Sequence, residues 1–340
     1  MKRLIFITTL FASIVGVKAQ QLAQNQSAII YYMPKTEIIA EVEYQRIENK
    51  VGMFYQYSKL YLGTDDIVTQ NKTSYVIKSV RLHTRAVADA NRYHILNNTK
   101  NTPGINLTDD GILCAINTAC EKMETGQFEQ KPMSSSNNSK SLVPLGEDQM
   151  LSGSVAKMAE GTAKQIYRIR ENRFNLLSGE IDNMPTDGSA VKLILDELSE
   201  QEKNLCALFV GTRDTTTAYA YYTIDPGKNI DNEVLFRFSS FSGPVEPTDY
   251  SGSPVFISLK TMPMTYLQDE KNSKKYKADK NAIYYNIPGK AEITIKDGNK
   301  LLNKSVLTIA QLGIEVPIDP SWLNKKITIN PVTGLIRQIE

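Results

Sequence analysis

The chain has 340 residues, with 39 Lys and Arg against 37 Asp and Glu, two histidines and three cysteines. That length supports about two domains and a large core, and the near-balance of charge argues against a nucleic-acid binder held by a general electrostatic field. The histidines, His83 and His94, stand in no ligand spacing and no cysteines lie two apart, so metal and cofactor chemistry has no motif to rest on.

The first nineteen residues read as an export leader. Lys2 and Arg3 form a basic start, Leu4 to Val15 an apolar run, and Val17-Lys18-Ala19 a small-x-small cleavage site. Cleavage after Ala19 would remove Lys2, Arg3 and Lys18 and leave 36 basic against 37 acidic residues. No later segment is apolar enough to span a bilayer as a helix, so a soluble or peripheral mature chain is expected. Gln21 to Gln26 is a polar leader.

Glu37 to Arg46 alternates, with Ile38, Ala40, Val42 and Tyr44 on one side and Glu37, Glu41, Glu43 and Gln45 on the other. That is the pattern of a half-buried strand. Met53 to Leu62 reads as a short helix stopped by Gly63. Tyr75 to Thr84 returns to strand, and Ile112 to Asn117 follows the Asp109-Asp110-Gly111 turn. Thr125 to Gln149, rich in Ser, Asn, Gly and Pro, has no period and reads as a long loop.

Ser154 to Phe209 is the one long stretch with helical periodicity. Val155, Met158, Ala159, Thr162, Ala163, Ile166, Ile169, Leu176 and Leu177 fall on one side of a first helix. Val191, Ile194, Leu195, Leu198, Leu205, Cys206 and Phe209 stripe a second. Ser154 suits an N-cap, Gly179 a C-terminal stop, and Met184 to Gly188 a turn into a second capped start. An antiparallel helical hairpin is expected, as the element around which the rest is arranged.

Two charges interrupt its apolar stripes, Arg173 and Glu202. With the turn near Asn183, Arg173 lies opposite residue 193, and Glu202 is roughly 13 Å further along at the helical rise. Each is therefore expected to find a separate partner, in ion pairs that dock the hairpin onto the sheets. A ligand-binding arginine is the alternative.

Beyond Phe209 the chain is almost all strand. Candidates are 218–224, 233–238, 255–260, 282–287, 291–296, 305–310, 326–330 and 335–339, with turns at Asp297-Gly298 and Asn330 to Gly334. The organisation is then a leader at 1–19, a β-rich region at 20–124, a linker at 125–152, the hairpin at 153–210 and a second β-rich region at 211–340. The expected class is α+β, with β-rich N-terminal and C-terminal parts flanking one central antiparallel helical hairpin.

The run from Ala163 to Glu180, AKQIYRIRENRFNLLSGE, resembles a family of exported Bacteroidota proteins of about this length catalogued only as a domain of unknown function. Tyr31 to Glu37, Gly146-Glu147-Asp148, Ala282 to Gly289 and Asn330 to Gly334 share the resemblance, which spans nearly the whole mature chain. It implies a Gram-negative envelope setting, periplasmic or associated with the outer membrane, and carries over no catalytic residue. In that setting Asp214-Thr215-Thr216 fits the O-glycosylation pattern of exported Bacteroidota proteins, with Thr215 as acceptor between helix and strand.

Other residues invite a chemical reading. Cys114 and Cys120 lie six apart, and form either a small-loop disulfide or a pair of buried strand thiols. Cys206 belongs to the apolar helical stripe. Ser154-Val155-Ala156-Lys157 matches a serine acyl-enzyme pattern, but the accompanying Lys-Thr-Gly element is missing and an N-cap accounts for the serine. Of the seventeen tyrosines, Tyr31, Tyr32, Tyr55, Tyr57, Tyr61, Tyr219, Tyr221, Tyr222, Tyr284 and Tyr285 come in clusters. They suit either strand packing or a binding platform. Lys164, Arg168 and Arg170 give the first helix a basic side, read as a solvated face. The expected function is a non-catalytic binding or scaffold module whose partner is an envelope protein or glycan, with no nucleic acid, no cofactor and no metal. A hydrolase acting on an envelope polymer is the alternative.

Overall fold

Strand β1 (Ala28–Lys50) is the more deeply buried of the two long strands that open the described chain, and its pairings set the architecture. It is the middle strand of a three-stranded antiparallel sheet in the order β2-β1-β5, between β2 (Lys72–Asn97) and β5 (Thr212–Ile224). The computed structural model describes residues 28–97, 102–120, 131, 153–179, 187–263 and 282–340. The expected leader, the polar segment after it and, Lys131 apart, the loop at 125–149 lie outside the described residues.

β1 extends past the expected 37–46 at both ends, and at its start Tyr31 and Met33, of opposite parity to Ile38, Ala40 and Val42, are buried in a separate core. Pro34 interrupts the ladder there, since it has no N–H to donate. The register jumps from Tyr32 opposite Tyr93 to Pro34 opposite Ala88, and β2 accommodates the jump with the extra residues Asp89 to Arg92.

The second sheet has five antiparallel strands in the order β10-β9-β8-β6-β7. These are β6 (Ile230–Ser239), β7 (Gly243–Val245), β8 (Ser253–Thr261), β9 (Tyr284–Asp297) and β10 (Lys300–Pro317). The two segments expected at 282–287 and 291–296 are one strand, β9, bent at Pro288-Gly289. Opposite the bend β10 has a register shift between Ile309 and Ile314. The backbones approach so closely that a Cβ on Gly313 would overlap the carbonyl of Ile287.

The two sheets pack face to face as a sandwich. Ile38, Ala40, Val42, Ile77 and Val80 from the first meet Phe236, Val255, Ile257, Leu259, Ile293 and Ile295 from the second in the largest core. A third, four-stranded sheet joins β3 (Ile105–Leu107) and β4 (Leu113–Ile116) to β11 (Ile327–Ile329) and β12 (Ile336–Ile339). Its core gathers Tyr31, Met33, Leu96, Ile116, Ile283 and Ile327. Strands before and after the helices thus share two of the three sheets: β1 pairs β5, and β4 pairs β11.

The helices are α1 (Ser58–Leu62), α2 (Val155–Ser178) and α3 (Gly188–Val210). Their terminators match the sequence: Gly63 and Gly179 adopt left-handed conformations, Ser154 Oγ accepts from Lys157 N at 3.3 Å, and Asp187 caps α3. Among the described residues the fold is mixed and strand-rich, with three antiparallel sheets.

The hairpin is not the organiser that its periodicity suggested. Phe54, Ala159, Ala163, Ile166, Leu205 and Phe209 form a third, smaller core at its base. There the last carbonyls of α3 accept from Phe54 N (2.7 Å), Ser58 Oγ (2.9 Å) and Val68 N (2.8 Å), which satisfies groups that a helix end leaves orphaned. The outer half has little to pack against, so Leu177 and Ile194, both on the expected stripes, are exposed.

The expectation of separate partners for Arg173 and Glu202 is wrong. Arg173 Nη1 donates to Glu202 Oε2, and Arg170 Nε donates to Glu202 Oε1 at 2.7 Å. The midpoint between residues 173 and 202 falls near Asp187, the cap of α3, and not at Asn183. That shift in the pivot brings residue 201 opposite Arg173. Arg173 keeps 36 % of its side chain exposed, so it joins the two helices to each other and does not dock them on a sheet.

Candidate functional site

The outer face of the five-stranded sheet carries a shallow trough of about 670 Å³. Strand alternation builds it. Val255, Ile257 and Leu259 of β8 point into the sandwich, so Phe256, Ser258 and Lys260 point out. Likewise Ile293 and Ile295 of β9 point in, so Glu292, Thr294 and Lys296 point out. The register places Phe256 beside Lys296, Ser258 beside Thr294 and Lys260 beside Glu292. From β10, Leu301 lies next to Lys296 and Lys304 next to Thr294.

Both rims are irregular. On β6 the register passes from Ile230 opposite Leu259 to Glu233 opposite Ile257, so Asp231 and Asn232 together face Ser258. Asn232 is one of two non-glycine residues with positive φ among the described residues, at 52°, and its N donates to Ser258 Oγ at 3.1 Å. On β10 the register shifts between Leu301 and Asn303, and Asn303 Nδ2 is turned inward to donate to Val80 O. Bulges of this kind re-aim side chains and collect beside functional sites, and a left-handed asparagine carries a conformational cost that a plain ladder avoids.

The trough is polar, with an aromatic and an aliphatic side chain in one row. Glu292 is engaged by Lys304 at 3.1 Å. Lys260 and Lys296 are exposed and lie on different strands. Both edges of β8 and β9 are taken up by neighbouring strands, so the floor presents side chains and not free backbone. Such a surface can hydrogen-bond a hydroxyl-rich chain and attract negative charge. A second recess, of about 460 Å³, lies at the ends of β1 and β2 around Val51 and Asn71. It is a chain connection, in which Asn71 Oδ1 accepts from Val51 N at 2.8 Å.

The two histidines each meet a glutamate. His94 Nε2 is 2.8 Å from Glu315, which also accepts from Arg92 Nε at 2.6 Å. Arg92 reaches on to Asn286 Oδ1 at 3.1 Å. The His94 ring stacks between Tyr31 and Tyr284, at centroid distances of 5.3 and 4.5 Å. Burial pushes the Glu315 carboxyl up, but the bonds from Arg92 and His94 outweigh it and hold the group below the ordinary glutamate range. Burial likewise raises the Tyr31 hydroxyl. On the outer face of the three-stranded sheet, His83 lies 3.3 Å from Glu41, whose side chain is 2 % exposed and also pairs with Lys131 at 3.0 Å.

The residues singled out in the sequence are scattered. Cys114 and Cys120 are joined as a disulfide at the end of β4, with Cα atoms 5.4 Å apart. Thr215 is exposed, but it lies inside β5 opposite Ile47 and not between helix and strand. Cys206 is half-buried, its thiol pushed up by burial. Ser154 acts as a cap. None of the ten clustered tyrosines is exposed; among the described residues the exposed ones are Tyr93, Tyr167 and Tyr250. No group of three or more His, Cys, Asp or Glu side chains that could hold a metal ion occurs among the described residues. No described helix is long and apolar enough to cross a membrane. The trough residues were not foreseen. Their outward alternation is legible in the sequence, but the register and bulges that bring them together are not.

A two-sheet antiparallel sandwich bearing an open polar trough on its outer face defines the class of this molecule. The chain belongs to the family described as "Domain of unknown function (DUF4831)", which matches residues 27–337. Neither a curated protein nor a solved structure matches it.

Proposed function

We propose that the chain is an exported envelope protein of the α+β class, periplasmic or outer-membrane associated, that acts as a non-catalytic binding or scaffold module. The trough is its ligand surface, and an extended glycan is its ligand. The setting rests on the basic-apolar-small leader and on the resemblance to exported Bacteroidota proteins. The binding reading rests on one observation: a rigid strand array whose outward hydroxyl, amide and ammonium groups are flanked by two ladder irregularities. Side chains fixed on strands present hydrogen-bond groups at a spacing of about 4.8 Å across the sheet, and rigid placement lowers the entropic cost of binding.

The test fills the trough without disturbing the core. Thr294→Trp places a large side chain at its centre, on a strand position that tolerates aromatics. Wild type should bind members of a panel of soluble polysaccharides, and the variant, with an unchanged circular dichroism spectrum, should lose at least tenfold in affinity. Equal binding by the two proteins would move the ligand surface elsewhere.

A hydrolase acting on an envelope polymer is the second reading, favoured by the Glu315–His94 pair, which could orient an imidazole as a base. Its test is turnover of an envelope polymer by wild type and by His94→Gln. Activity that survives the substitution excludes this pair.

A further inference from the structure

The alternation that turns Ile38, Ala40 and Val42 of β1 into the sandwich turns Glu37, Glu41 and Glu43 outward. Glu41 nevertheless keeps only 2 % of its side chain exposed, a burial that glutamate tolerates only when paired. The register sets Arg81 on one side of it and Tyr221 on the other, with Tyr219 beside Glu43. Against this group lies Lys131, 90 positions from both Glu41 and Tyr221 in the chain. Its Nζ donates to Glu41 Oε1 at 3.0 Å and stands 5.1 Å from the centre of the Tyr219 ring, within cation–π range. Its backbone N donates to Tyr221 Oη at 2.9 Å.

We infer that Glu41, Tyr219 and Tyr221 form a binding site for a lysine residue of a peptide. Lys131 fills the site as a ligand in cis, and a lysine of another polypeptide enters when Lys131 leaves. The site lies on the three-stranded sheet and does not depend on the trough of the five-stranded one.

The charge of the face calls for a cation. Along Glu37 to Glu43 and the residues set beside them, three carboxylates, Glu37, Glu41 and Glu43, meet two guanidiniums, Arg81 and Arg85. His83 adds charge only when protonated, and Lys131 supplies the third full positive charge. The contact with Tyr221 calls for a peptide, since it engages a backbone N–H that a free amine lacks. Two features allow exchange. Lys131 keeps 45 % of its side chain exposed. Its departure also leaves Glu41 with Arg81 Nη1 at 3.8 Å and His83 Nε2 at 3.3 Å, so the carboxylate is not stranded without a partner.

A tethered ligand competes at an effective concentration of roughly millimolar order, so removing it should uncover the site. Nα-acetyl-lysine N-methylamide carries both the ammonium and the backbone N–H. Followed by saturation-transfer NMR on the full chain, it should bind Lys131→Ala, and wild type at least threefold more weakly. Its norleucine analogue, which lacks the ammonium, should bind neither. Adding Tyr219→Leu to Lys131→Ala should weaken the lysine ligand about twofold to fivefold, the range of an exposed cation–π contact. Adding Glu41→Gln should abolish binding; if that variant fails to fold, the Tyr219 substitution carries the test.

Equal affinity of wild type and Lys131→Ala overturns the occupancy by Lys131, and with it the proposal. No binding by Lys131→Ala at about 50 mM ligand, well above the tethered concentration, overturns the site itself. Cadaverine binding as tightly as the acetylated lysine overturns the peptide in favour of free amines.

Discussion

Glu202 is the shared acceptor of two guanidiniums, and its own carboxyl shows the balance. Burial pushes it up, and the hydrogen bonds from Arg170 and Arg173 more than reverse this, leaving it below the usual carboxylate range. Glu202→Gln should destabilise the protein by about 1 kcal/mol, the scale of a partly exposed network and well short of a fully buried pair. A double-mutant cycle of Arg173→Ala with Glu202→Ala should give a coupling of about 0.5 kcal/mol; zero coupling would mean the contact adds nothing. Both charges were recognisable in the sequence as interruptions of an apolar stripe. Their pairing was not, because each residue of error in the pivot of a hairpin moves the facing register by two, or about 3 Å. Glu315 offers a different measurement. Its folded carboxyl lies below the ordinary glutamate value of 4.5, so its contribution is complete above that pH and is lost as pH falls through the lower, folded value. Melting temperature measured from about pH 6 to 3 should fall less steeply in Glu315→Gln than in wild type.

At the level of elements, periodicity tells which side of a helix faces a partner but not how far the partner extends. The α2 stripe continues to Leu177, yet the core beneath it is concentrated at the base of the hairpin, and Phe174 and Leu177 stand 65 % and 69 % exposed. Replacing either with Ser should change stability by less than about 0.5 kcal/mol. Phe209→Ala, at the fully buried base against Phe54, should cost about 3–5 kcal/mol. Turn chemistry was more legible than packing. Gly63 and Gly179 cap their helices where the sequence placed them, and Asp187 caps α3 within the expected turn, because capping depends on neighbours in the chain. Pro288-Gly289 misled for the converse reason: it reads locally as a break, but β10 bulges opposite and keeps β9 in the sheet. The Cys114–Cys120 link closes a short loop, which limits the chain entropy it removes. Its reduction should lower stability by about 2 kcal/mol, read as a shift in the denaturant midpoint against a Cys114→Ser/Cys120→Ser variant.

For the whole molecule, the decisive fact is that β1 belongs to everything except the hairpin. It pairs β5 from beyond the helices, lines the sandwich core with Ile38, Ala40 and Val42, and sends Tyr31 and Met33 into the core of the third sheet. The alternation of 37–46 made β1 visible as a strand. Its choice of partner was hidden, because β5 lies some 170 residues later and pairing at that separation leaves no local trace. An interior shared in this way should open as one unit, whereas the outer half of the hairpin can fray without breaking a sheet. Native-state hydrogen exchange separates the two. Amides of β1, β8 and β9 at the middle of the sandwich should exchange only through global unfolding, with one common free energy that falls with denaturant at the full slope. Amides of α3 between Leu193 and Leu198 should exchange at lower free energy and with a weak denaturant dependence, because their opening exposes little surface. Protection of the outer hairpin equal to that of β1 would mean that its exposed residues are covered in solution.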